Sequence, residues 1–295
     1  MRRWTALCAS VLVACSVKST PGVGNVAGSG ASSVPSRAGD EVAIADAATR
    51  LPLLHRQQQL ITAVTADWQS AEATLQLWHR DAAGHWQPDD AAWSGVIGKN
   101  GAAWGIGLHG NGPPVMPPGV GGTGPGVERT SARSERGPIK AEGDQRSPAG
   151  AFELGGAFGY AEGERSKLPY AAVGPTWRCV DDSASVHYNR VFDSKGVAVD
   201  WQSAELMRRK DALYTLVIET KHNAGAQAGA GSCIFLHVWR DAQSPTVGCT
   251  AMPQARLRWL LGNVDPVQRP AFVLLPRSVY GELAASWDLP TARFD

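Results

Sequence analysis

The sequence has few long helical patterns, no internal repeat and no basic stripe. Its 295 residues carry a formal net charge of +1, and no basic run is interleaved with aromatic residues, so we expect no nucleic-acid partner. Neither C-x-x-C nor H-x-x-x-H spacing occurs, which argues against a zinc site, and nothing else predicts a metal or a cofactor. The chain does contain 33 glycines and 11 tryptophans. This composition indicates a mainly β domain with many turns and few short helices.

Residues 1–14 have the form of a signal peptide. Two arginines precede an apolar run that is far too short to span a bilayer. Leu12-Val13-Ala14-Cys15 resembles the lipobox of bacterial lipoproteins, in which Cys15 would become the lipidated first residue; an ordinary signal peptide is the alternative. Residues 15–50 predict a flexible tether. We therefore expect an exported, periplasmic domain, residues 51–295, attached to a membrane through a lipid anchor.

Short alternating or β-branched runs predict the strands of this domain. They are Gln59–Thr65, Thr74–Trp78, Trp93–Ile97, Leu213–Thr220, Cys233–Trp239 and Phe272–Leu275. Arg146–Phe152 (RSPAGAF) predicts a type I turn that leads into another strand. Helices are predicted at Ser203–Lys210 and Pro253–Leu261, with Gly262 ending the second. Residues 110–143, rich in Gly and Pro, predict an irregular surface loop or lid.

Beyond the signal segment the domain contains three cysteines, Cys179, Cys233 and Cys249. In an oxidising compartment two of them would pair and leave one thiol free, with three possible pairings. Cys179 and Cys233 have the contexts of structural residues, which predicts a disulfide between them. Cys249 follows a glycine and precedes a predicted helix, whose dipole would lower the pKa of the thiol. The alternative is a buried structural cysteine in a tight turn.

His237 lies near the end of the strand that precedes Cys249. A histidine at a strand end, a short loop and a cysteine beside a helix can bring imidazole and thiol together, as cysteine nucleophiles require. A buried histidine with a purely structural role is the alternative for His237. His187 and His222 are the other candidate bases.

These residues resemble the signature of the YkuD-type L,D-transpeptidases. The resemblance rests on His237 followed by Thr246-x-Gly248-Cys249-x-x-Met252, and on Ser147-Pro148-x-Gly150-x-Phe152 before them. It extends from about residue 59 to 275 and includes a Tyr188-Asn189 pair. It implies a β-sandwich or barrel-like catalytic domain.

The resemblance also implies an activity. Cys249 would attack the peptide bond after the third residue of a peptidoglycan stem tetrapeptide, form a thioester and pass the acyl group to an amine, which a wall-linked lipoprotein could supply. His237 would be the general base and acid, and the backbone of Gly248 and Cys249 the oxyanion hole. Thr246 and Arg240, with Tyr188, would bind substrate.

The sequence departs from the common family motif at two positions and in one spacing. Val247 replaces a histidine, Ala251 replaces an asparagine, and only eight residues separate His237 from Thr246. Three alternatives therefore accompany the transpeptidase prediction. They are a peptidoglycan peptide hydrolase (an L,D-carboxypeptidase or a lipoprotein-releasing enzyme), a non-catalytic peptidoglycan-binding lipoprotein, and a disulfide exchange protein, for which a nearby resolving cysteine is missing.

Overall fold

The computed structural model describes residues 51–114 and 137–291. They belong to one compact unit, 51–295, the range predicted for the folded domain. The described residues contain two α-helices, α1 (Gln254–Asn263) and α2 (Arg277–Trp287), and a 3-10 turn at Pro266–Gln268. Their strands, β1 to β16 in chain order, are Gln59–Thr65, Glu72–Arg80, Trp86–Pro88, Trp93–Val96, Ala102–Trp104, Ile106–Gly107, Gly110–Asn111, Ser147–Gly159, Tyr170–Ala172, Trp177–Val180, Val191–Asp193, Ala204–Leu206, Leu216–Thr220, Phe235–Val238, Thr250–Met252 and Ala271–Pro276. The protein is mainly β with few helices, as its composition predicts.

Several predictions concern residues outside the described part of the chain. These are the signal peptide, the lipidation site Cys15, the tether and the middle of the predicted 110–143 loop. The two ends of that loop are described and are more regular than predicted, since Gly110–Asn111 forms β7 and Ile139 makes a β-bridge with Trp104. Among the described residues, no helix has the length and apolar character needed to cross a membrane.

Eight strands of the eleven-stranded main sheet close into a ring. The hydrogen-bonded order is β1-β16-β8-β13-β14-β15-β4-β2, and β2 pairs with β1 to complete it. β1 and β16 are parallel, with Leu60 opposite Ala271. Closure leaves none of these eight strands with a free edge. The sheet is therefore barrel-like.

Residues of β13 and β14 alternate between the inside and the outside of this ring. Leu216 and Ile218 belong to the main core, whereas Val217 belongs to a second, smaller cluster of buried residues. In β14, Leu236 is in the main core and Phe235 in the second cluster. Successive side chains of a strand point to opposite faces, so His237, two residues after Phe235, shares its outward face.

A three-stranded sheet, β11-β10-β12, contributes to the second cluster. Cys179 of β10 forms a disulfide with Cys233, two residues before β14, and their Cα atoms are 5.9 Å apart. This is the predicted pairing, and Cys249 is the free cysteine of the described residues. Cys233 itself lies outside the strand predicted to contain it and has φ of 55°. The cluster consists of Val173, Cys179, Met207, Tyr214, Val217, Cys233, Phe235 and Cys249.

The prediction of a helix at Ser203–Lys210 is wrong. Within this segment Ala204–Leu206 form β12, which pairs with β10 so that Leu206 lies opposite Arg178. The side chain of Met207 is fully buried in the second cluster. Tertiary packing thus overrides the helical propensity of Ala, Glu, Leu and Met.

The type I turn predicted at Ser147–Gly150 is also wrong, because these residues begin β8. Residues Ser147 to Ala149 pair with β5. Gly150 has φ of +134°, and a Cβ built there would lie 2.0 Å from Cε1 of the His109 ring. Glycine at this position therefore reflects a special backbone conformation and the close packing of His109.

The helix predicted after Pro253 is confirmed in its position. α1 buries Leu257, Leu260 and Leu261 in the main core. It continues through Gly262, the predicted stop, to Asn263.

Candidate active site

The two sequence motifs meet at the backbone carbonyl of Cys249. Ser147 Oγ donates to this oxygen at 2.9 Å, and Thr246 Oγ1 donates to it at 2.6 Å. Ser147 Oγ also accepts from the Gly98 N–H at 2.9 Å. Two hydroxyls from segments that are far apart in sequence therefore fix the backbone that carries the thiol.

The turn from Thr246 to Cys249 requires glycine in its middle. Gly248 has φ of +152°, a value that favours glycine over other residues. Its N–H donates to Thr246 Oγ1 at 3.1 Å. The Gly248 N–H, predicted to form the oxyanion hole, is thus already used within the turn. The Thr246 hydroxyl stabilises the same turn, and substrate binding by Thr246 stays a prediction.

Cys249 does not lie at the start of a helix. β15 and Pro253 separate it from Gln254, the first residue of α1, and a helix dipole acts mainly within its own first turn. The Cys249 thiol donates to the carbonyl of Cys233 and accepts from the Phe235 N–H, each at 3.4 Å.

The pKa of Cys249 is shifted in the direction opposite to the prediction. Burial, reinforced by the charge of Glu205, raises the pKa of the thiol to about 12, although the Phe235 N–H favours the thiolate. Formation of the thiolate at pH 7 then costs about 7 kcal/mol in the free protein. The predicted thiolate is therefore not the resting state.

His237 and Cys249 face the same cavity of about 490 Å³. In the parallel pairing of β14 with β15, Ala251 lies opposite His237, and Cys249 is two residues before Ala251. The two side chains are thus diagonal neighbours on the outer face of the ring. His237 thus lies near Cys249, because both side chains line this cavity.

The imidazole of His237 is directed to the protein backbone. Its Nδ1 lies 2.8 Å from the carbonyl oxygen of Val238. Burial lowers the pKa of His237 to about 4, although the backbone carbonyls of Val238 and Leu213 favour the protonated form. At neutral pH the site therefore contains a neutral imidazole and a neutral thiol.

Tyr214 and Glu205 also line the cavity, and neither was predicted as a site residue. The Tyr214 hydroxyl donates to Glu205 Oε2. The rings of Tyr214 and His237 meet edge to face with centroids 5.3 Å apart, and the Arg209 guanidinium lies 5.1 Å from the centre of the Tyr214 ring. Burial raises the pKa of both Glu205 and Tyr214.

The sequence gives only weak signals for these two residues. Glu205 lies in the segment wrongly predicted as a helix, so its place opposite Cys179 in the β10–β12 pair could not be inferred. Tyr214 lies just before β13, in a run whose composition predicts only a strand. The presence of a tyrosine near the start of the strand that pairs with the His237 strand is the one available signal.

The mouth of the cavity carries positive charge and an apolar residue. Arg240, predicted to bind substrate, lines it together with Arg209. Arg209 is paired with Asp211 at 3.0 Å. Val247, which replaces a family histidine, is 68% exposed at the rim.

Three other sequence candidates lie elsewhere. Tyr188, predicted to bind substrate, is buried and donates its hydroxyl to Glu142, so this prediction is corrected. His187 packs on Phe192 with ring centroids 4.8 Å apart and lines a different cavity. His222 is buried, with Nε2 lying 3.0 Å from the Ala230 carbonyl. Neither histidine contributes to the Cys249 cavity.

Comparison of the chain with protein-family models, with curated proteins and with solved structures found no match. Across residues 51–114 and 137–291, no group of three or more His, Cys, Asp or Glu side chains is placed to hold a metal ion. The functional inference therefore depends on the residues and contacts around Cys249.

Proposed function

We propose that this protein is a peptidoglycan acyltransferase of the L,D-transpeptidase type, with Cys249 as its nucleophile. The observation that carries the proposal is that both predicted motifs meet at the backbone of Cys249, whose thiol shares a cavity with His237. Ser147 and Thr246 fix the Cys249 carbonyl, and the thiol and His237 line the same space. A fixed nucleophile beside acid–base groups is the arrangement that covalent acyl transfer requires.

In the proposed reaction, Cys249 Sγ attacks the carbonyl carbon of the third residue of a stem tetrapeptide. The thiol proton leaves the sulfur as the S–C bond forms. The C–N bond to D-Ala then breaks, and the departing nitrogen takes up a proton. An acceptor amine attacks the thioester and regenerates the thiol. The resemblance assigns the proton transfers to His237, whose imidazole is neutral at pH 7.

The charges at the cavity mouth suit this substrate. Stem peptides carry carboxylates, and the guanidinium groups of Arg209 and Arg240 line the cavity. Arginine pairs well with carboxylates because its planar donors match their geometry. Arg240, exposed at the rim, is the residue we assign to substrate recognition.

The proposal is tested by the intact mass of the purified domain after incubation with a carbapenem, which acylates nucleophilic cysteines of this type. We expect one adduct on the wild-type protein and none on Cys249→Ala. An equal adduct on Cys249→Ala, or no adduct together with no change in digested peptidoglycan, would contradict the proposal. Formation of 3-3 cross-linked dimers identifies an amine as acceptor, whereas trimmed tripeptides identify water.

A second candidate, a non-catalytic peptidoglycan-binding lipoprotein, is favoured by one observation. The Cys249 thiol is buried, with a pKa raised to about 12, as for a structural cysteine. This candidate predicts that peptidoglycan sediments with wild-type protein and with Cys249→Ala equally well, and that neither protein changes the muropeptide composition.

A further inference from the structure

The Cys249 thiol is held by the backbone of one short segment, Cys233–Phe235. The thiol donates to the Cys233 carbonyl oxygen, and the Phe235 N–H donates to the sulfur, each with a separation of 3.4 Å. Both contacts come from main-chain atoms, so the conformation of this segment sets where the sulfur lies and where its proton points. A group that fixes the conformation of Cys233 therefore also fixes the thiol.

Cys233 has a backbone conformation that residues with a side chain seldom adopt. Its φ is 55°, in the left-handed region. Such a conformation persists only where the surrounding structure imposes it. Two groups do so for Cys233. The disulfide to Cys179 holds the side chain, and the side-chain amide of Asn189 holds the backbone N–H.

The side chain of Asn189 connects the Cys233 backbone to the turn that follows β13. Its Oδ1 accepts from the Cys233 N–H at 2.9 Å. Its Nδ2 donates to the carbonyls of His222 at 3.0 Å and of Asn223 at 2.8 Å. These partners fix which end of the amide is oxygen, because a backbone N–H needs an acceptor and the two carbonyls need donors. The amide thus has partners for its oxygen and for its nitrogen.

The sequence neighbours of Asn189 and Cys233 are also held together. The hydroxyls of Tyr188 and Ser232 both donate to Oε2 of Glu142, and Tyr188 and Ser232 are buried. Two adjacent residues of each segment are therefore joined, one pair through a carboxylate and the other through an amide. The Tyr188-Asn189 pair that stands out in the sequence lies at this junction, and not in the cavity that the thiol lines.

We infer that Asn189 is a positioning residue of the proposed active site. Its amide holds Cys233 in the left-handed conformation that directs the Cys233 carbonyl to the Cys249 thiol. Asn189 does not line the Cys249 cavity, so it acts on the reaction through Cys233 and not through substrate. A thiol released from these contacts leaves the geometry needed for attack, which slows acylation without weakening the binding of the acylating compound.

The first test is the S–H stretching band of Cys249 in the infrared spectrum of the protein. The band is isolated by subtracting the spectrum of the same protein with Cys249→Ala. Its frequency is lower when the thiol donates a hydrogen bond. Asn189→Gly removes the amide, and glycine tolerates the φ of 59° at this position. We expect the band of Asn189→Gly to shift to higher frequency than that of the wild type.

The second test is the rate of acylation by a carbapenem, measured over a range of carbapenem concentrations. Asn189→Gly should lower the maximal rate by about 10- to 100-fold, the effect of misplacing a reacting group by about 1 Å. The concentration that gives half of the maximal rate should stay within about twofold of the wild-type value, because no contact with the bound compound is lost.

Gln59→Leu is the matched control for lost stability. Gln59 is another buried amide that joins two segments, since it donates to the Asn263 carbonyl at 3.0 Å and accepts from the Asp265 N–H at 2.8 Å. This variant should be less stable in urea but keep the wild-type band and acylation rate. Asn189→Asp keeps an oxygen for the Cys233 N–H, so its band should stay at the wild-type position. It decides the question if circular dichroism shows that Asn189→Gly is unfolded.

Several outcomes would overturn the inference. They are a wild-type band at the frequency of a thiol without a hydrogen bond, an unshifted band in Asn189→Gly, a shifted band in Asn189→Asp, and an equal shift in Gln59→Leu. A maximal acylation rate in Asn189→Gly equal to that of the wild type would also overturn it.

The inference rests on the proposed function for the acylation step, but the infrared measurement needs no substrate. The expected shift without acylation of the wild type would refute the function alone. Acylation of the wild type without the expected shift would refute the positioning role of Asn189 alone.

Discussion

Removal of the Ser147 hydroxyl should destabilise the domain and release the backbone of Cys249. Ser147 is fully buried. In Ser147→Ala the buried Gly98 N–H loses its partner, which costs about 1–3 kcal/mol. The Cys249 carbonyl keeps the hydrogen bond from Thr246. Losing the second bond, from Ser147, therefore costs only the net value of one hydrogen bond, about 1 kcal/mol. We expect the free energy of unfolding to fall by about 2–4 kcal/mol.

The assay is urea denaturation at pH 7, with Ser94→Ala on the exposed face of β4 as a control that should change stability by less than about 0.5 kcal/mol. A double-mutant cycle with Thr246→Val sharpens the test, because the two hydroxyls hold the same carbonyl. The double variant should lose about 1 kcal/mol more than the sum of the single variants. A loss below about 1 kcal/mol in Ser147→Ala, or strict additivity, would refute the reasoning.

Three further predictions concern stability. Replacement of both Cys179 and Cys233 by alanine should lower the free energy of unfolding by about 4 kcal/mol. The reason is that the disulfide closes a loop with a sequence separation of 54 and so restricts the unfolded chain. An unchanged denaturation midpoint would contradict this prediction. Burial lowers the pKa of His222 and of His237 to about 4, below the 6.5 of an unfolded histidine. The stability that each neutral, buried histidine contributes is therefore complete above pH 6.5 and is lost as the pH falls through 4. The free energy of unfolding should fall by about 3 kcal/mol for each histidine, and denaturation curves that coincide from pH 7 to 4 would argue against this prediction. Gly248→Ala should cost about 1–3 kcal/mol because of its positive φ, and a variant as stable as the wild type in thermal unfolding would show that this backbone is not strained.

Alternation and turn residues allowed much of the site to be predicted. The apolar run that contains His237 predicts a strand, and the side-chain period of two places His237 on one face together with Phe235. Cys249 comes soon after His237 in the sequence, so the sequence could predict that these two side chains share a cavity. The Ser147 motif was singled out as well, although as a turn and not as the start of β8.

The electrostatics of the site could not be predicted in the same way. The expected low pKa of Cys249 relied on a helix beginning close to the thiol, whereas the thiol is buried in a cluster that includes residues of a second sheet, which sequence patterns do not reveal. That sheet includes β12, whose residues favour a helix when considered locally. Glu205 was missed for this reason, since its position depends on pairing with β10 and not on its neighbours in sequence.

The parallel pairing of β1 with β16 has a consequence for the order of folding. The two strands are separated by almost the whole domain, with Leu60 opposite Ala271. A growing chain can form the β1–β2 hairpin early, but one edge of β1 stays open until β16 has been synthesised. Contacts between such distant residues form slowly, and open edges attract other chains. Completion of the barrel is therefore a late event that needs the C-terminal strand, and a chain truncated before Ala271 should aggregate rather than fold.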